Sequence, residues 1–507
     1  MNRQQEATDT LQQAMQRHRA GDLNEAELLY AATLRLQPDN AQAMRLRGAL
    51  ARERGDIGTS RSLLQHAAQQ APDDPELLSE LALTCMAAGD LPGAAHNLHK
   101  CLLLDPGSAR AAANFGAVLQ QRGHINAAIN SYQKSLSAEE DIFVRCNLAK
   151  ALSDKGDFAA ALNICDDTND IQQPQLLATR GVILLDQQHY TDARDVLLKA
   201  TSLAADDMSL VNLALAQHQT GDVSAAADTL RQACELNPAN ARAVADLANC
   251  LCAMDDYAAA ITLCESFLQH YPGERLVLGS YALALHNAGR DNDALALTDC
   301  DSLVRVFDCP QPKGIVNIQT MNAMLNDELH ADTSRLLNPI SKATTGGEQT
   351  GELDMERSLA MKALQEFIQT SISTAANAFI DQGLGEHPVM TPAQGNQSIR
   401  AWGTLLSQGG HQTSHMHPLG WLSGVYYTHL PADMNNPDPE AGWLEFNTPP
   451  ERFHQHKPAQ TWRYQPAEGR MILFPSWFWH QTLPFESTDE RISIAFDIVP
   501  TAALRML

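Results

Sequence analysis

Three histidines, an arginine and a serine near the C-terminus are the side chains best placed to do chemistry. His415 and His417 form a His-Met-His-Pro step, His480 follows Leu473-Phe474-Pro475-Ser476-Trp477-Phe478-Trp479, and Arg491-Ile492-Ser493 comes eleven residues after His480. On an extended strand, residues i and i+2 project to the same face, so both imidazoles of the first pair can point into one interior. Imidazole nitrogens suit ferrous iron, and three protein ligands leave the remaining coordination positions free for substrates. A guanidinium sharing a strand face with a hydroxyl is a natural cradle for a carboxylate. Tyr426 and Tyr427, in Leu422-Ser423-Gly424-Val425-Tyr426-Tyr427, offer a phenol to the same ligand. Any one of these features alone is ordinary packing; their order in one chain makes the joint signal. A second His-x-His pair, His454 and His456, lies in a Pro/Lys-rich polar stretch and is expected at the surface, as are His411 and Gln412 near the pocket mouth.

These residues need strands to hold them. Apolar/polar alternation bounded by Gly, Pro and Asp clusters predicts strands over 398–407, 411–417, 422–430, 442–447, 471–474, 480–485 and 491–499. Residues 344–351 (Thr-Thr-Gly-Gly-Glu-Gln-Thr-Gly) are expected as a loop, and the 3.6-residue spacing over 355–382 predicts a helix. Several antiparallel strands preceded by a packing helix suggest a jelly-roll barrel, a fold that encloses a small site.

The first 300 residues differ in kind. All ten cysteines fall between Cys85 and Cys309, and all six tryptophans between Trp402 and Trp479. A Gly-Asp-apolar marker, or a variant of it, begins at 21, 55, 89, 123, 156, 188, 221, 255 and 289, at spacings of 32 to 34 residues. Five residues after each start comes a small residue: Ala26, Ser60, Ala94, Ala128, Ala161, Ala193, Ala226, Ala260 and Ala294. Pro38, Pro72, Pro106, Pro238 and Pro272 close five of the units. This array resembles the tetratricopeptide repeat family over about residues 7–308, in roughly nine helix pairs. One pair cannot bury its own apolar face, so stacked neighbours supply the core. The shortened spacing, the missing prolines and Cys165-Asp166-Asp167-Thr168 predict an irregularity at about 140–174. Cys250 and Cys252 would point apart on a helix and are expected to be structural.

Composition bounds the rest. At 507 residues the chain is long enough for two to four domains, and 44% hydrophobic with 19% charged residues describes a folded, soluble protein. Sixty acidic against 36 basic residues, a net charge of −24, argue against binding nucleic acid or an anionic membrane. No apolar run reaches the ~18–20 residues of a membrane helix, and the N-terminus lacks a signal core, so a cytoplasmic location is expected.

Taken in order, His415-x-His417-Pro, Ser423-Gly-Val-Tyr-Tyr, Gly469-Arg-Met-Ile-Leu-Phe-Pro-Ser-Trp…His480 and Arg491-Ile-Ser-Ile-Ala-Phe resemble the 2-oxoglutarate- and Fe(II)-dependent oxygenases that are often fused to tetratricopeptide repeats. The resemblance covers about residues 310–502. It implies a double-stranded β-helix (jelly-roll) domain with packing helices over 309–507, following the all-α repeat superhelix. It also implies Fe(II) on His415, His417 and His480, with 2-oxoglutarate held by Arg491, Ser493 and Tyr426 or Tyr427, and O2 as oxidant. His417 stands where the wider superfamily carries a carboxylate, so the third ligand is open between His417 and a carboxylate such as Glu445 or Asp497. The function implied is hydroxylation of a protein or peptide delivered by the repeats. The alternatives are a small-molecule oxygenase whose repeats serve assembly, and a non-catalytic scaffold with a ligand-sensing barrel.

Overall fold

The computed structural model describes residues 3–166, 173–340, 342–391, 397–434 and 438–500. Residues 3–148 form one compact unit and residues 149–500 a second. Among the described residues, nine antiparallel helix pairs run from Arg3–Arg19 with Leu23–Leu36 to Arg275–Asn287 with Asp291–Thr298.

The Gly-Asp marker is explained by the turn inside each pair. The first residue of every marker stands just beyond the first helix with positive φ, between +73° and +88° at Gly21, Gly55, Gly89, Gly123, Gly156, Gly221 and Gly289. Gln188 (φ 59°) and Asp255 (φ 61°) adopt the same left-handed conformation without the freedom of glycine. The aspartate that follows caps the second helix: Asp56, Asp90, Asp222 and Asp256 accept hydrogen bonds from Thr59, Gly93, Ala225 and Ala259 N–H. The small residues are buried where helices touch, from Ala26 to Ala294. In the fifth pair the second helix is described over Phe158–Asp166, where the described residues break off, so much of the irregularity expected at about 140–174 lies outside them. Asp167 and Thr168 lie outside the described residues. Cys250 and Cys252 are buried free thiols, which burial pushes up to about 12 and about 11 respectively.

Ten strands follow: β1 (Arg305–Asp308), β2 (Leu336–Leu337), β3 (Thr344–Gln349), β4 (Gln397–Gln412), β5 (Leu422–His429), β6 (Leu444–Phe446), β7 (Trp462–Tyr464), β8 (Arg470–Pro475), β9 (His480–Thr482) and β10 (Arg491–Pro500). A seven-stranded sheet in the order β1-β8-β5-β10-β4-β3-β2 and a three-stranded sheet β7-β6-β9 are antiparallel throughout. This is the all-α then β-rich architecture the sequence implied. β1 already pairs with β8 within the last residues assigned above to the array.

Three expectations are corrected. The segment 344–351 contains β3 rather than a loop; the pairing with β4 is interrupted at Gly346 (φ 68°), where the Asn338 side chain accepts from Gly346 and Gly347 N–H, and resumes beyond it. The strands expected at 398–407 and 411–417 are instead one, β4, which runs through Gly409-Gly410. At that point an added Cβ on Gly346 would come within 2.9 Å of Gly410 Cα, so only glycine allows the approach. β4 then ends at Gln412, and His415 and His417 lie beyond it, on a connection closed by Pro418. The helix Leu359–Asp381, capped by Ser358, lies across the larger sheet through Phe367, Ile368 and Phe379.

The last repeat is not separable from the sheets. Leu278, Cys300, Leu303 and Val304 share one apolar core with Trp421, Phe446, Phe474 and Trp477. Trp477 Nε1 donates to Leu297 C=O at 3.0 Å. Tyr464 Oη donates to Cys300 C=O at 3.1 Å.

Candidate metal centre

Alternation along the strands sorts the site. On β10, Arg491, Ser493, Ala495 and Asp497 share one face, and their register partners set Thr404 and Trp402 of β4 and Tyr427, Val425 and Ser423 of β5 on the same side. Ile492, Ile494 and Phe496 take the other face and are buried in the apolar core. The three-stranded sheet supplies His480 and Thr482 on β9, opposite Phe446 and Leu444.

His415 reaches the centre without a regular strand. Its N–H donates to His480 C=O and its C=O accepts from His480 N–H, both at 3.0 Å, an isolated antiparallel bridge. Two residues on, His417 N–H donates to Ser476 C=O at 2.9 Å. The i,i+2 argument therefore holds through a two-residue extended bridge, although the strand it assumed has ended.

The three imidazoles converge, with one potential ligand atom from each lying within 4.8 Å of the others. Every Nδ1 is engaged away from the centre. His415 Nδ1 donates to Thr413 C=O (2.7 Å), His480 Nδ1 to Phe478 C=O (2.9 Å) and His417 Nδ1 to an Asp497 carboxylate oxygen (2.8 Å). Carbonyl and carboxylate oxygens only accept, so each Nδ1 carries a proton and each Nε2 is left facing the centre. His417 Nε2 and His480 Nε2 stand 3.3 Å apart, a spacing that calls for a cation or a proton between them. Protonation is opposed by burial and then by the neighbouring imidazoles, which hold His415 down to about 3 and His480 well below the usual histidine value. Neutral imidazoles with fixed tautomers are what a divalent transition metal requires.

Asp497 and Glu445, the alternative third ligands, occupy other roles. Asp497 accepts from His417 and, at 2.7 Å, from Ser423 Oγ. Burial pushes its carboxyl up, but His417 and Ser423 outweigh that and hold it below the ordinary value. Glu445 is 5% exposed, yet its oxygens take Arg463 Nε (2.8 Å) and Gln481 Nε2 (2.7 Å), on the other side of the small sheet. Trp402 stacks on His417 with ring centroids 5.7 Å apart.

Arg491, Ser493 and Tyr427 line one cavity of about 50 Å³ together with the three histidines, and Gln412 lines it too. Arg491 is 2% exposed, and no carboxylate among the described residues lies within ion-pair distance of it. Its Nε and the Tyr427 hydroxyl are buried without hydrogen-bond partners, and the guanidinium carbon sits 5.0 Å from the Tyr427 ring centroid. Burial lowers the guanidinium's proton affinity, and Tyr427 recovers part of it. A desolvated cation of this kind is costly until an anion joins it.

Tyr426 is a correction. It faces the opposite side of β5, where its hydroxyl donates to Asn322 Oδ1 at 2.7 Å and its ring meets Phe367 edge-on. Adjacent residues on a strand cannot both face the cavity, and the regular pairing of β5 with β10 aligns Tyr427, not Tyr426, with Ser493. His411 does not line the cavity and bonds Gly409 C=O. The contact between Asp497 and His417 was not anticipated; the even spacing of Asp497 from Arg491 and Ser493 is the sequence signal that it shares their face.

Comparison with known proteins agrees with this division. Residues 400–497 match the family model described as "Putative 2OG-Fe(II) oxygenase". Residues 11–75, 179–241 and 218–266 match tetratricopeptide repeat models. The chain thus carries both regions. No curated protein matches it. Among solved structures it is similar to a tetratricopeptide repeat protein from Parabacteroides merdae ATCC 43184, at 16% identity and a TM-score of 0.42, over 46% of this chain and 94% of that one. The Cut9-Hcn1 hetero-tetramer of the APC/C matches at 18% identity and a TM-score of 0.39, over 52% of each chain. The MamA protein matches at 18% identity and a TM-score of 0.30, over 36% of this chain and 94% of that one.

Proposed function

We propose that this chain is a 2-oxoglutarate- and Fe(II)-dependent oxygenase that hydroxylates a protein or peptide recruited by its repeats. The observation that carries the reading is one small cavity holding both three convergent imidazoles and a buried guanidinium with no carboxylate partner among the described residues. His415, His417 and His480 would hold the iron through their Nε2 atoms. The far carboxylate of 2-oxoglutarate would take the Arg491 guanidinium, with Ser493 and the Tyr427 hydroxyl as further hydrogen-bond partners. When bound, the iron and cosubstrate supply oxidative decarboxylation to succinate and CO2 coupled to C–H hydroxylation by O2. The protein's own part is electrostatic and steric. Three neutral ligands leave a ferrous site two charges positive, one more than a site with a carboxylate, and this favours anionic chelators. Asp497 returns part of that charge at one remove and fixes the ring of His417. Phe474, Leu444 and Trp402 wall the cavity against water. The test is anaerobic reconstitution with Fe(II) and 2-oxoglutarate, then oxygen, with succinate measured. Stoichiometric iron binding with no succinate would refute turnover and leave a sensing barrel.

A further inference from the structure

The connection between β6 and β7 crosses to the repeats and lies on them as a peptide would. Asn249 Nδ2 donates to Arg452 C=O (3.2 Å), while its Oδ1 accepts from His454 N–H (3.1 Å). Asn287 repeats the pattern two residues further, donating to His454 C=O and accepting from His456 N–H, both at 2.9 Å. The segment enters through a turn in which Phe453 N–H donates to Pro450 C=O, and each carboxamide then brackets one residue of its backbone, Phe453 and Gln455, independent of side chains. Asn249 and Asn287 are 8% and 4% exposed with the segment in place. Two buried amides, each donating and accepting on the main chain, form a contact that any segment of the same backbone shape could make.

The side chains add selectivity. Phe453 is buried among Leu276, Leu283, Met416 and Trp479. Arg452 is exposed and lines the rim of a small cleft, where the Asp246 carboxylate is taken by Arg242 Nε at 2.6 Å. The rings of His454 and His456 lie 6.5 and 6.4 Å from that of Tyr257. Beyond them the seating loosens. Lys457 is held at its ends, by Asp291 on Nζ and His286 on its C=O, above a cavity of about 290 Å³ lined by Gly279, Leu295 and Trp477. At its other end the segment is tied beside the metal centre. Thr448 C=O accepts from Ser414 Oγ, next to His415, and Asn447 N–H donates to Trp479 C=O, next to His480.

We infer that residues 450–457 are an internal ligand of a peptide-binding trough on the last three repeats. The partner this trough fits is a protein segment of the same backbone shape that places an aromatic residue where Phe453 sits. Such a segment must displace the chain's own strap to bind. Its arrival would then free the 447–448 link beside His415 and His480, a consequence that rests on the metal-centre reading above, whereas the trough itself does not.

The experiment uses the full chain and a fluorescent synthetic peptide of residues 449–458, without metal or 2-oxoglutarate. Wild type should bind the peptide weakly, because the strap holds the site. Phe453→Ser, which frees the strap and leaves the asparagines intact, should bind it at least about tenfold tighter, in proportion to the open fraction. Asn249→Ala/Asn287→Ala should abolish peptide binding and speed tryptic cleavage at Arg452. In unmodified protein, hydrogen exchange at the His454 and His456 amides should be slow and should accelerate with excess peptide, a readout that needs no variant to fold. No gain in affinity for Phe453→Ser, or His454 and His456 amides that stay protected at saturating peptide, would overturn the proposal. Since neither readout involves iron, the trough and the oxygenase reading can fail independently.

Discussion

If His417 holds the metal as proposed, removing the Asp497 carboxylate should weaken metal binding. Its oxygen, 2.8 Å from His417 Nδ1, fixes the proton there and so turns Nε2 toward the centre. In Asp497→Ala the ring of His417 can exchange its proton to Nε2 or rotate against Trp402. Loss of such an outer partner typically costs 10–100-fold in metal affinity, about 1.4–2.7 kcal/mol. Asp497→Asn keeps an acceptor for Nδ1–H while Ser423 Oγ–H can turn to Ser476, its other neighbour at 2.7 Å. Its loss should therefore sit near tenfold. His417→Ala, which deletes a ligand, should lose more than either. The assay is anaerobic titration of the full chain with Fe(II), checked with Mn(II) by electron paramagnetic resonance. If Asp497→Ala and His417→Ala both bind within twofold of wild type, His417 is not a ligand and the orientation argument falls with it.

Four further outcomes follow from the same geometry. His417→Asp should bind iron poorly, because the new carboxylate would stand where Nδ1 now meets Asp497, and adding Asp497→Asn should restore binding; recovery without the second change would refute this. Arg491→Gln should raise the 2-oxoglutarate KM about 10–150-fold, the equivalent of a ~1.5–3 kcal/mol charge-assisted contact, while leaving iron affinity intact; an unchanged KM would assign the carboxylate elsewhere. Metal-free protein should lose stability as pH falls below about 6.5, because His415 and His480 bind protons when unfolded but not when folded; a melting temperature with the same slope in a His415→Gln/His480→Gln variant would contradict the assignment. Gln188→Gly should stabilise the chain by about 0.5–1 kcal/mol in denaturant melts by relieving a left-handed φ, and a loss of stability would show that the side chain matters more than the backbone.

The sequence by itself determined whatever depends on local chemistry repeated or alternated along the chain. Nine turns with a positive φ, seven of them at glycine and several followed by an aspartate helix cap, recur every 32 to 34 residues, so the helix pairs could be read directly. Alternation likewise put Arg491 and Ser493 on one face, and a two-residue step put His415 with His417. Tertiary structure decided what depends on partners distant in sequence. The faces of Tyr426 and Tyr427 were set by the register of β5 against β10, which no local pattern marks. Asp497 became the hydrogen-bond partner of His417 because the fold brings it beside a ring 80 positions earlier in the chain. His454 and His456, polar and unremarkable as text, were drawn onto the repeats by two asparagines more than 160 residues away. Backbone hydrogen bonds carry no side-chain signature, so a segment recognised through its main chain leaves no trace in its own sequence.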